Sequence, residues 1–115
     1  SGPSSSSSVA VTANSDLGNC GSSKTVNFTT ASSNTLTLSA ATCAITFSGA
    51  SSGGTYQIIL KQDATGSRLA TWASSPKWNG GTAPTLTTTA TTGLDIVTCY
   101  YDGTSYYCSY GANYQ

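Results

Sequence analysis

The chain has 115 residues, zero formal net charge, four bases (Lys24, Lys61, Lys77, Arg68) and four acids (Asp16, Asp63, Asp95, Asp102), with no histidine and no glutamate. A chain this size builds one modest core, and about a third of it is serine or threonine, a composition that suits strands and exposed loops far better than helices. Lack of a basic footprint speaks against nucleic-acid binding, and lack of a Lys/Arg-rich amphipathic helix or a long apolar run speaks against membrane association.

Without histidine there is no Ser-His or Cys-His nucleophile pair and no imidazole metal ligand, which closes most hydrolytic mechanisms. Asp63, Asp95 and Asp102 invite a comparison with paired glycosidase carboxylates. Asp63 and Asp102, however, stand where turns favour aspartate in any case. Calcium chelation would call for the dense D-x-D spacing that this chain lacks. The expectation is a protein that is not an enzyme and needs no metal or cofactor, with Arg68 pairing with an aspartate or a carbonyl.

Ser1 to Ser8 reads as a serine-rich linker, which suggests a chain that begins partway through a longer protein, and residues 9–115 read as a single β-domain. Val9, Val11 and Ala13 alternate as a short first strand, and Asn14 to Asn19 has loop composition. Lys24–Thr30 alternates Val26 and Phe28 with polar residues. Leu36, Leu38 and Ala40, then Cys43, Ile45 and Phe47, repeat the pattern across a tight Ala41-Thr42 connection, as in a meander. Asn27-Phe28-Thr29 matches a glycosylation acceptor within that first pattern.

The segment Gly53–Trp78 holds the longest apolar strand and both tryptophans. Tyr56, Ile58 and Leu60 share a face, Asp63-Ala64-Thr65-Gly66 turns the chain, and Arg68–Trp72 returns with Ala70 and Trp72 on one side, a pattern that predicts a β-hairpin. Ala73–Pro84 is a long irregular connection, Thr85–Ala90 an edge strand, and Leu94–Tyr101 pairs with Tyr106–Tyr110 across Asp102-Gly103-Thr104-Ser105. Eight to nine short strands argue for an all-β fold, an antiparallel sandwich of jelly-roll-like or barrel-like form.

The four cysteines lack the close pairs of a zinc site, so disulfides and a non-reducing, secreted or particle-surface setting follow. A four-residue loop opposes Cys99 to Cys108, whereas a two-residue Asp102-Gly103 turn would oppose Cys99 to Tyr106. With the first register, elimination leaves Cys20–Cys43.

The ordered runs Gly54-Thr-Tyr56, Leu60, Gln62-Asp63, Thr65-Gly66, Arg68 and Trp72 resemble a domain found in bacteriophage tail fibres and other virion appendages. The likeness continues through Pro76-Lys77-Trp78, Gly80-Gly81-Thr82-Ala83-Pro84-Thr85-Leu86-Thr87, Asp95-Ile96-Val97, Tyr101-Asp102-Gly103-Thr104 and Ser109-Tyr110-Gly111. Cys99 and Cys108 depart from it, standing where apolar or small residues are usual, so the disulfides read as a local addition. The resemblance implies an all-β domain on the virion surface, in a fibre tip or a capsid-attached fibre or decoration. Its implied partners are other virion proteins and copies of itself, with a trimer among the expected states. Its implied role is attachment to bacterial surface glycan, and it brings no catalytic residues.

Candidate ligand contacts are Trp78, Asn79, Tyr101, Tyr106 and Tyr107, because flat aromatic faces stack on pyranose rings while Asn binds hydroxyls. The competing reading makes each tryptophan a core or loop anchor and explains the crowded tyrosines by cross-strand packing. Two other functions remain open at this stage. One is a secreted carbohydrate-binding module, alone or fused through the serine-rich linker to a catalytic domain. The other is a purely structural subunit joined to its neighbours by tyrosines.

Overall fold

The computed structural model describes residues 14–114, so the expected linker 1–8 and the Val9–Ala13 strand lie outside the described residues. Nine strands form two sheets, with one three-residue turn of 3-10 helix and no α-helix among the described residues. They are β1 (Asn14–Cys20), β2 (Ser23–Asn27), β3 (Ser33–Leu38), β4 (Thr42–Ser48), β5 (Thr55–Gln62), β6 (Leu69–Trp72), β7 (Lys77–Trp78), β8 (Leu94–Tyr101) and β9 (Tyr106–Gly111). One sheet runs β1-β3-β5-β8-β9-β7 and the other β2-β4-β6.

Residues 14–76 correct the antiparallel expectation. β1, β3 and β5 pair in parallel in the large sheet, and β2, β4 and β6 pair in parallel in the small one. Strands joined by the shortest connections therefore lie in opposite sheets. The chain climbs as three coils, and the crossover that a parallel pair requires is supplied each time by a strand of the other sheet. The expected meander is thus a stack: Leu36 lies beside Leu60, and Ile45 beside Trp72.

The Tyr56–Trp72 hairpin is an arch for a visible reason. Gln62, buried at the end of β5, donates from Nε2 to the Arg68 carbonyl at 2.9 Å and accepts from the Arg68 N–H at 3.0 Å. A side-chain amide fills the space where a backbone ladder would close a hairpin, and it holds the two arms apart. The expected turn itself is present. Asp63 Oδ1 accepts from the N–H groups of Thr65 and Gly66, both at 3.0 Å, and the carboxylate pairs with Arg68 at 3.0 Å. Gly66 adopts φ +72°, and a Cβ there would sit 2.8 Å from both the Thr88 oxygen and the Ala90 nitrogen, so no other residue fits.

Two further expectations change. Asn14–Asn19 is strand rather than loop: its parallel pairing with β3 is interrupted by a bulge, where Asp16 accepts from the Gly18 N–H at 2.9 Å. Thr85–Ala90 is no strand but a strap across the arch, held by Ser67 N–H to the Thr88 carbonyl at 2.9 Å and by Thr87 N–H to Asp95 at 2.6 Å. Asp95, only 2% exposed, also accepts from the Asn113 N–H at 2.9 Å and so ties strap and C-terminal tail to one carboxylate.

Alternation places Val26, Leu36, Leu38, Ile45, Phe47, Tyr56, Ile58, Leu60 and Val97 in one core fed by both sheets. Its rings form a chain. Phe28 stacks on Tyr56 at 4.4 Å, Phe47 meets Tyr106 at 4.9 Å, and Phe47 and Trp72 lie 6.0 Å apart. Cys20–Cys43 links the sheets, β1 to β4, and Cys99–Cys108 links β8 to β9. These are the pairings expected from the four-residue loop and by elimination.

Candidate functional site

β8 and β9 form the expected antiparallel hairpin, with Tyr106 opposite Tyr101, Tyr107 opposite Tyr100 and Cys108 opposite Cys99. The turn is shaped by Asp102, which accepts from the N–H groups of Thr104 at 2.8 Å and Ser105 at 2.7 Å. Alternation along β9 sends Tyr106 and Cys108 inward and Tyr107 and Ser109 outward.

β7 lies along the free side of β9 in parallel, pairing Lys77 with Tyr107 and Trp78 with Cys108. The pairing stops after two positions because Asn79–Gly81 turns away in a 3-10 turn, with Gly80 and Gly81 both near φ +80°. That short strand makes the site. It leaves an open groove of about 460 Å³ lined by Lys77, Trp78, Asn79, Tyr107, Cys108 and Ser109. Trp78 is set edge-on against Trp72 at 4.9 Å, which joins it to the core through Phe47. Tyr107 stays 45% exposed. A hydrogen bond with the Asp102 carboxylate, and then that group's negative charge, raise its phenol above the ordinary value, so it is a neutral hydroxyl over a wide pH range.

Of the five candidate contacts, the structure brings together Trp78, Asn79 and Tyr107. Tyr101 and Tyr106 lie on the opposite face, their rings tilted against each other at 4.5 Å and packed against the core. Burial, followed by the neighbouring phenols Tyr101 and Tyr56, raises the Tyr106 phenol. Two lining residues escape sequence reasoning, Lys77 and Ser109, because only the parallel β7–β9 pairing places them beside Trp78. The alternation of β9, which puts Ser109 on the face of Tyr107, was the one signal available.

Among the described residues, no three of histidine, cysteine, aspartate or glutamate gather as metal ligands would, and no helix is long and apolar enough to cross a membrane. Asp63, Asp95 and Asp102 are each engaged in backbone contacts in separate parts of the fold.

The family described as "Putative phage tail fibre C-terminal domain" matches residues 2–106. The chain belongs to this family. Its place is therefore in a phage virion appendage, in association with other virion proteins. Neither the curated proteins nor the solved structures give a match. In this phage tail fibre domain, the β7–β9 groove combines the exposed Tyr107 ring and the half-buried Trp78 with polar side chains.

Proposed function

We propose that this tail fibre domain is a non-enzymatic receptor-contacting unit on the virion surface, attaching the particle to a bacterial surface glycan held in the β7–β9 groove. The observation that carries the reading is the convergence of Trp78, Asn79, Tyr107 and Ser109 on one open groove. Two aromatic rings offer apolar faces for pyranose C–H groups, and an amide and a hydroxyl meet ring hydroxyls. The Trp78 ring, anchored through Trp72, is preorganised, which limits the entropy lost on binding.

The test is binding of the fluorescently labelled chain to a panel of bacterial strains and their purified surface polysaccharides. Trp78→Ala and Tyr107→Ala are each expected to lower binding at least tenfold, with the far-ultraviolet spectrum unchanged. Undiminished binding by both variants overturns the groove as the receptor site.

A second reading is favoured by one observation. Tyr100, Tyr110 and Tyr114 are between 43% and 52% exposed and lie outside the groove. In this reading they join neighbouring copies in a homo-oligomer, a trimer being one candidate, and the domain is a structural subunit. Light scattering of the chain and of a Tyr100→Ser/Tyr110→Ser variant tests it: an assembly that the variant dissolves supports it, and a monomeric parent chain removes it.

A further inference from the structure

From the charges around the groove, we infer that its ligand is an anionic saccharide, one whose sugar residues carry a carboxylate or a phosphate, with Lys77 holding that group. This deepens the proposed glycan-binding reading and rests on it. The groove is lined by one charged side chain, Lys77, and by no carboxylate. The parallel register sets Lys77 beside Tyr107, with Trp78 next in the strand. An anion bound by Lys77 thus has its own sugar ring within reach of an aromatic face.

Among the described residues the one ion pair is Asp63–Arg68, in the arch at the end of β5, and Lys77 has no ion pair. The hairpin's turn acid, Asp102, has its carboxylate taken up by the Thr104 and Ser105 N–H groups. Asp102 does not line the groove, whose one formal charge is therefore positive. Past Cys108 the β7 pairing has ended, so the groove is open enough to admit a polymer from the side. In a chain of zero net charge, attraction to an anionic polymer must come from such a local field and not from the molecule as a whole.

The inference is tested on the full chain with matched ligands: a galacturonate hexamer, a sugar-phosphate hexamer and a neutral galactose hexamer, titrated by calorimetry. At about 20 mM salt at least one acidic ligand is expected to bind at least tenfold more tightly than the neutral one, and the advantage is expected to shrink at about 500 mM salt as the pair is screened. Which acidic ligand gains more identifies the anion. Lys77→Gln is expected to close the gap between acidic and neutral ligands, and Trp78→Ala to weaken binding of all three. Equal affinity for acidic and neutral ligands, or a gap that survives Lys77→Gln, overturns the anionic inference while glycan binding stands. Binding of every ligand unaltered by Trp78→Ala overturns the groove itself, and so does binding of none of them.

Discussion

Residues 14–76 and residues 94–111 are both antiparallel by expectation, yet only the second region is built that way. In the β8–β9 hairpin every pairing partner is within 15 residues, and a four-residue turn sets the register from Cys99–Cys108 outward. In the coil stack each partner lies 18 to 27 residues away, with a strand of the other sheet in between. Thr42–Ser48 and Thr55–Gln62 in the first region alternate inward and outward as Leu94–Tyr101 does in the second. Alternation reports which face is buried, but it does not report which strand lies alongside. The difference has a functional edge, because the antiparallel hairpin ends the parallel stack and presents a strand side, on β9, that β7 covers at only two of six positions.

The two disulfides offer the sharpest way to break the comparison. All four cysteines are buried, but Cys20–Cys43 spans 23 positions and crosses from one sheet to the other, whereas Cys99–Cys108 spans nine within a hairpin already held by its own ladder. Chain-entropy reasoning assigns about 3 kcal/mol to the first and somewhat less to the second. The hairpin's intrinsic closure reduces the second further. Cys20→Ala/Cys43→Ala is therefore expected to lower urea stability by about 3 kcal/mol, and Cys99→Ala/Cys108→Ala by about 1–2 kcal/mol. Equal losses would mean that the coils are no harder to close than the hairpin.

Gln62 sharpens the same contrast at a single residue. In the hairpin the backbone closes the turn, with Asp102 N–H bonded to the Ser105 carbonyl, but in the arch that task falls to a buried side chain. Gln62→Ala leaves the Arg68 N–H and carbonyl without these partners and is expected to cost about 2 kcal/mol by urea unfolding. Gln62→Glu keeps the acceptor for the N–H but faces the Arg68 carbonyl with an oxygen, so it should recover less than half of that loss. A neutral result for both would show that the arch is held by the strap 82–93 and not by the amide.

This also explains how far the fold could be read in advance. Strand faces, the Asp63–Gly66 turn, the last hairpin and both disulfides depend on residues close in sequence or on counting four cysteines, and they were legible. The arch was not: a glutamine at the end of an apolar run has the same appearance whether it faces solvent or bridges two backbones. Asn14–Cys20 escaped because its pairing with β3 compensates for a composition of Asn, Ser, Asp and Gly that favours loops. At the site, Trp78, Asn79 and Tyr107 were accessible to chemical reasoning, while Lys77 and Ser109 required a two-residue parallel pairing that no local pattern encodes.

The smallest expected effect concerns acid. Asp63 is held below its ordinary value of 3.8 by the hydrogen bond from Arg68, then by the Gly66 and Thr65 N–H groups, against a partial opposing effect of burial. Asp102 is held below it by the Ser105 and Thr104 N–H groups, again against some desolvation. In both cases the folded state favours the carboxylate, so the stabilisation is fully present above pH 3.8 and is lost as the pH falls through the depressed folded values. Asp102 is exposed and Asp63 is half-buried at the surface, where solvent screening keeps the contributions modest. The discriminating variable is salt. Asp63 has a cationic partner in Arg68 beside its backbone donors, whereas the donors around Asp102 are all neutral, so the acid sensitivity removed by Asp63→Asn should shrink in molar salt, while that removed by Asp102→Asn should persist. Carboxyl-carbon NMR titrations read at low and high salt check this directly. If both carboxyls respond to salt alike, the contribution of Arg68 to the arch is no more specific than that of the backbone N–H groups in the hairpin turn.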